Sequence, residues 1–138
     1  MKEINVAAGL ETFKINDSFE ITFCPTDALF VEKLFNAFDA VEAKQEEYGE
    51  MTKSAEGKEI FNVAKRINED IRSIINDAFD CDICFEVFGN VCIMSLADGL
   101  PLWVNLLMAF MDEVDTSFAR EQKRTNPRIA KYTSKYHK

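Results

Sequence analysis

The chain has 138 residues, 47% of them hydrophobic and 29% charged, with five Gly and three Pro. That length and balance fit one ordinary domain that can bury a core without staples, and they exclude a low-complexity or collagen-like chain. The formal net charge of -8 is unevenly divided: residues 120–138 hold seven Lys or Arg against Glu121 alone (+6), whereas residues 1–119 hold nine against 23 Asp or Glu (-14). The expected organisation is therefore one acidic, mainly α (α+β) domain over residues 1–119, followed by a flexible basic tail over 120–138. No apolar run reaches the roughly 18 residues that a membrane span needs, and no positive start with an apolar stretch marks a secretory leader. The expectation is a soluble, cytoplasmic protein with no membrane partner.

The first 25 residues carry weak period-2 alternation. Phe13 and Ile15 form one run and Phe19, Ile21 and Phe23 the next, separated by the turn-forming Asn16-Asp17-Ser18. This predicts a small hairpin over about residues 10–24, half-buried on helices, which Pro25 ends. Thr26 and Asp27 are N-cap candidates for a helix whose apolar stripe is Phe30, Leu34, Phe38 and Val41. It is expected to turn acidic from Glu42 to Glu50, to end near Gly49, and to give way to a loop over Met51 to Gly57.

A second helix has the clearest three-and-four spacing in the chain: Ile60, Ala64, Ile67, Ile71, Ile74, Ile75 and Ala78. Residues 81–99 fit either two short strands or a broken helix. Asp98, Gly99 and Pro101 then read as a helix start. The run from Leu102 to Met111 is apolar nearly all round, which predicts burial on most sides, with the helix leaving the core near Asp112 and stopping at Thr125-Asn126-Pro127. The architecture is thus about three principal helices with an N-terminal β-hairpin. Within the last helix, Trp103, Leu107, Phe110 and Met111 read first as core and second as an oligomer or partner surface if the isolated fold leaves them uncovered.

The chemistry-bearing residues are few. Cys81 and Cys84 have the spacing of a redox or zinc pair, but no second close pair accompanies them, and small buried hydrophobes are the favoured reading. His137, the single histidine, stands next to the C-terminus, where a general base has nothing to orient it. No phosphate-cradling Gly-rich loop and no nucleophile elbow occur. The expectation is no catalytic residue, no metal, no cofactor and no enzyme. In the tail, Arg124, Arg128, Lys131, Tyr132, Lys135 and Tyr136 form the candidate partner-binding set. The acidic body would repel a nucleic acid, so an acidic protein surface is preferred, including that of a neighbouring copy in a homo-oligomer.

The strand pair near the N-terminus, the stretch from Pro25 to Ala43 entering a long acidic helix, and Val87-Phe88-Gly89-Asn90 followed by the helix from Asn105 to Val114 together resemble a family. It comprises the tail assembly chaperone-like small proteins of tailed bacteriophages and prophages of Gram-positive bacteria. The likeness covers most of residues 15–115 and carries no chemical motif, so no functional residue follows from it. It implies a non-enzymatic morphogenesis protein of the bacterial host cytoplasm that self-associates and binds other phage tail proteins, the tape-measure and tail-tube proteins. The basic stretch from Arg120 departs from that pattern and leaves a structural or accessory phage protein open. The alternative is a phage-encoded host-interaction or counter-defence protein that binds a host protein or a small nucleotide.

Overall fold

A computed structural model describes residues 1–124 and Arg128. It is mainly helical, in the order β1 (Glu11–Ile15), β2 (Phe19–Phe23), α1 (Ala28–Ser54), α2 (Glu59–Phe79), α3 (Ile83–Phe88), β3 (Leu96–Ala97), β4 (Leu100–Pro101) and α4 (Leu102–Lys123). The three long helices and the N-terminal hairpin agree with the sequence reading, and the short α3 and the β3–β4 pair fill the segment that periodicity left open.

β1 and β2 pair antiparallel with Phe13 opposite Ile21 and Ile15 opposite Phe19. Asn16 and Asp17 turn the chain with φ of 50° and 60°, a left-handed conformation that Asn and Asp tolerate better than most residues. Strand alternation sends Phe13, Ile15, Phe19, Ile21 and Phe23 toward the helices, while Thr12, Lys14, Glu20 and Thr22 face solvent. Phe23 closes an aromatic cluster, its ring centroid 4.7 Å from Phe30 of α1 and 5.3 Å from Phe110 of α4, with Phe79 of α2 4.7 Å from Phe110. One element from each region of the chain thus contributes a ring to the same apolar contact.

α1 starts where expected, with the Asp27 carboxylate accepting from the Leu29 amide at 3.0 Å. It does not stop near Gly49. The helix continues to Ser54 because its last turns still have packing partners: Tyr48 and Met51 half-bury against the core, and the Thr52 hydroxyl bonds back to the Tyr48 carbonyl at 2.9 Å. A single Gly costs about 1 kcal/mol in a helix, which such contacts override. α2 buries Val63, Ile67, Ile71, Ile75 and Phe79 along one stripe and ends on Asp80 at φ 55°.

The path from α2 to α4 is held by polar side chains. Arg72 Nη2 donates to the Gly89 carbonyl at 2.8 Å and to the Val91 carbonyl, and Asn68 Oδ1 accepts from the Ile93 amide at 2.7 Å. Asn76 Oδ1 accepts from the Cys84 amide at 3.1 Å, and its Nδ2 donates to Asp82. Three polar residues spaced four apart on α2 therefore fix the connector that carries α3.

Asp98 and Gly99 do not begin a helix. Both take positive φ, 55° and 78°, and form the two-residue loop that joins Ala97 to its pairing partner Leu100. Asp-Gly suits such a turn because both positions need left-handed backbone. α4 starts one residue after Pro101. Nor does α4 leave the core at Asp112: Val114 and Ser117 are buried, and the helix runs on to Lys123. The 120–138 division is displaced accordingly, since Arg120 is part of α4 and Nη2 of its guanidinium donates to both Glu11 carboxylate oxygens, at 3.0 and 3.2 Å.

Replacing Arg72 with Met removes two charge-assisted bonds to connector carbonyls, so the urea midpoint should fall by the equivalent of about 1.5–3 kcal/mol at unchanged slope. The exposed Arg66, six residues earlier on the same helix, should tolerate the same change within roughly 0.5 kcal/mol.

Candidate functional site

The four residues of α4 that read first as core and second as a partner surface follow the first reading. Trp103, Leu107 and Phe110 are 3%, 0% and 6% exposed and belong to the core, and Met111 is half-buried. The reason is coverage: α1 lies along α4, the N-terminal hairpin closes over Phe110, and the β3–β4 turn is tied down by Asn105, whose Nδ2 donates to the Ala97 carbonyl at 2.9 Å. These residues form no open oligomer face. Of the tail set, Arg124 caps α4 and pairs with Glu121 at 3.0 Å, and Arg128 is exposed. Lys131, Tyr132, Lys135 and Tyr136 lie outside the described residues.

Four concave regions bear on function. The largest, about 840 Å³, lies between the N-terminal segment and the last turns of α4, with Leu10, Pro25 and Phe118 as apolar wall and the Glu11–Arg120 pair crossing it. Its charges balance, Glu11 and Glu121 against Arg120 and Arg124. A second, about 280 Å³, lies over the polar face of α2. Its cation, Arg72, is committed to two carbonyls, and Glu69 and Asp82 share the lining, so nothing in it favours an anion such as a nucleotide. A third, about 340 Å³, lies between β2, the first turns of α1 and the end of α2, beneath the Lys33–Asp80 pair at 3.8 Å.

A further groove of about 400 Å³ separates the middle of α1 from the start of α4. Phe38, Pro101 and Val104 are half-buried along it, and the indole of Trp103 stands edge-on to Phe38 with ring centroids 5.2 Å apart. Trp103 Nε1 donates to Gln45 Oε1, which locks the indole to α1. Glu42 and Glu46 form the rim. Neither has an ion-pair partner among the described residues, whereas the neighbouring Lys44 is engaged by Glu47 at 3.2 Å and Asp70 at 3.5 Å. Hydrogen bonding and attraction to Glu47 hold the Lys44 ammonium above its ordinary pKa, with Asp70 adding to the effect. The groove thus has an apolar floor and an uncompensated acidic rim. The sequence shows Glu42 and Glu46 only as part of the acidic stretch of the first helix, because the α1–α4 contact that brings Phe38 and Val104 together joins residues 66 positions apart.

The Cys81–Cys84 pair is not poised for thiolate chemistry. Burial pushes the Cys84 thiol up to about 12, with nearby Asp82 adding to it against the opposing Arg72 charge. Cys81 is also raised, again chiefly by burial, with Asp82, Asp80 and Glu86 contributing. Both thiols are therefore held in the protonated form at neutral pH, which is the less nucleophilic one. Among the described residues no group of three or more His, Cys, Asp or Glu converges to hold a metal ion, and no helix is long and apolar enough to cross a membrane.

No family model, curated protein or solved structure matches the chain.

The Cys84 shift has a consequence for stability. The thiol ionises from a pKa of 9.0 when unshifted and from about 12 in the fold, so above pH 9 the unfolded chain releases a proton that the folded chain keeps. Stability from this group is full below pH 9 and declines between pH 9 and 12, by at most about 1.4 kcal/mol per pH unit. Chemical denaturation across that window should show the decline in the native chain, and Cys84→Ala should remove its share of the slope.

Proposed function

We propose that the protein is a non-catalytic assembly protein that associates with copies of itself and binds a helical protein partner, in the manner of a phage tail assembly chaperone. The observation that carries this reading is the opposition of charge along one chain. The long α1 offers Glu42, Glu46, Glu47 and Glu50 as exposed residues on a rigid helix, and the last 19 residues carry +6. Opposite fields on one molecule steer copies toward one another and fix their relative orientation, an effect that salt screens over about 10 Å at 0.1 M and 3 Å at 1 M.

The tape-measure protein is the partner that the phage resemblance supplies, and the tail-tube protein is the component it would deliver. Exposed apolar side chains on the outer sides of the helix pair, Leu29 and Phe35 of α1 and Phe61 of α2, are 71%, 57% and 67% accessible. They give a helical partner apolar contacts that the core does not need. Gene order tests the identification independently: a position between tail-tube and tape-measure genes supports it.

Sedimentation of the full chain at low salt should show species heavier than the 15.8 kDa of one chain, dissociating as salt is raised. Co-expression with the tape-measure protein of the same phage or prophage should yield a co-eluting complex. A strict monomer at every concentration, together with separate elution of the two proteins, would contradict the proposal.

A further inference from the structure

We infer that the groove between α1 and α4 is the receptor for the basic C-terminal segment of a second copy of this chain. The inference rests on the self-association just proposed and adds its site and its occupant.

The groove and the segment are chemically matched. Phe38, Pro101 and Val104 make the floor, with Trp103 behind them, and Glu42 and Glu46 stand one helical turn apart on the rim. Residues 125–138 contain four Lys or Arg and no Asp or Glu, and they interleave the charges with rings as Lys131-Tyr132 and Lys135-Tyr136. Docked as a helix, the segment would carry its cation and aromatic pairs at the same one-turn spacing as the Glu42 and Glu46 carboxylates on the rim. The rings supply apolar area for the floor while the ammonium groups meet Glu42 and Glu46. Lys44 does not neutralise this rim, because it is held by Glu47 and Asp70.

The occupant comes from another copy for reasons of reach. Val104 at the groove and Arg124 at the end of the helix are 20 residues apart, about 30 Å at 1.5 Å per residue. From Arg124, Tyr132 lies eight residues on and travels no more than about 29 Å when fully extended. A chain folding back on itself could bring Lys135 and Tyr136 to its own groove but has no slack to seat Lys131 and Tyr132 there with them. A neighbour's segment has no such restriction. The contact is head-to-tail, so it propagates from copy to copy and either closes into a ring or continues as a filament.

Two full-length variants test the inference: a groove variant, Glu42→Lys with Glu46→Lys, and a tail variant, Lys131→Glu with Lys135→Glu. The groove substitutions fall on exposed positions outside the core, and circular dichroism checks that both variants are folded. Sedimentation at low salt should show each alone reduced to the 15.8 kDa species and an equimolar mixture recovering association, because each supplies the half that the other lacks. Combining all four substitutions in one chain should restore association as well, with the charges reversed. If the wild type associates and either variant still does so to the same extent, the groove assignment is overturned while self-association stands. If the wild type is monomeric, both are overturned. If the variants dissociate but neither mixture nor combination recovers, the two sites do not meet and the inference fails.

Discussion

The arrangement of this protein depends on the polar ladder Asn68, Arg72 and Asn76 along one side of α2. Those side chains hold the backbone of residues 84–93, and that backbone in turn places α4: the Ile93 carbonyl accepts from the Trp103 amide at 3.2 Å, and the Ser95 carbonyl accepts from the Leu102 amide at 2.8 Å. Trp103 then reaches across to Gln45. A continuous set of hydrogen bonds thus runs from α2 through the connector to α1, and it sets the separation between α1 and α4. The apolar core supplies most of the stabilisation, but apolar contacts are non-directional. The ladder supplies the direction, because a guanidinium bonded to two carbonyls accepts only one path for the chain that carries them.

This also explains what could and could not be read in advance. The hairpin, the Asp27 cap and the α2 stripe are local, repeated at periods of two or about 3.6, and visible in a single pass along the chain. The connector has no period. Its conformation is set by side chains 6 to 25 positions away, such as Asn76 to Cys84 and Asn68 to Ile93, so periodicity left it between strands and helix. Asp98-Gly99 carried the signal of a tight hairpin, but the following Pro101 drew the reading toward a helix start. Tyr48 and Met51 extended α1 past Gly49 through tertiary contacts that outweigh local propensity. Trp103, Leu107 and Phe110 were legible as core from a run that is apolar nearly all round; which elements cover them, the β-hairpin and α1, was not.

The candidate site was half legible. The charge asymmetry was plain in the composition, and Glu42 and Glu46 were visible as acidic. What turns them from a solvated face into the rim of a groove is the approach of Pro101 and Val104, which only the fold provides. The chemical consequence is selective: an acidic rim over a floor with Phe38 and Trp103 favours a cationic, aromatic segment and disfavours an anionic one. The same chain carries such a segment at its C-terminus.

Trp103 is the single tryptophan of the chain, and its indole stands at the back of the groove. Its emission therefore reports on occupancy directly. Titrating a peptide of residues 124–138 into the full-length protein at low salt should shift or quench that emission saturably, and Glu42→Lys with Glu46→Lys should abolish the response. Emission that stays flat throughout the titration would contradict the account.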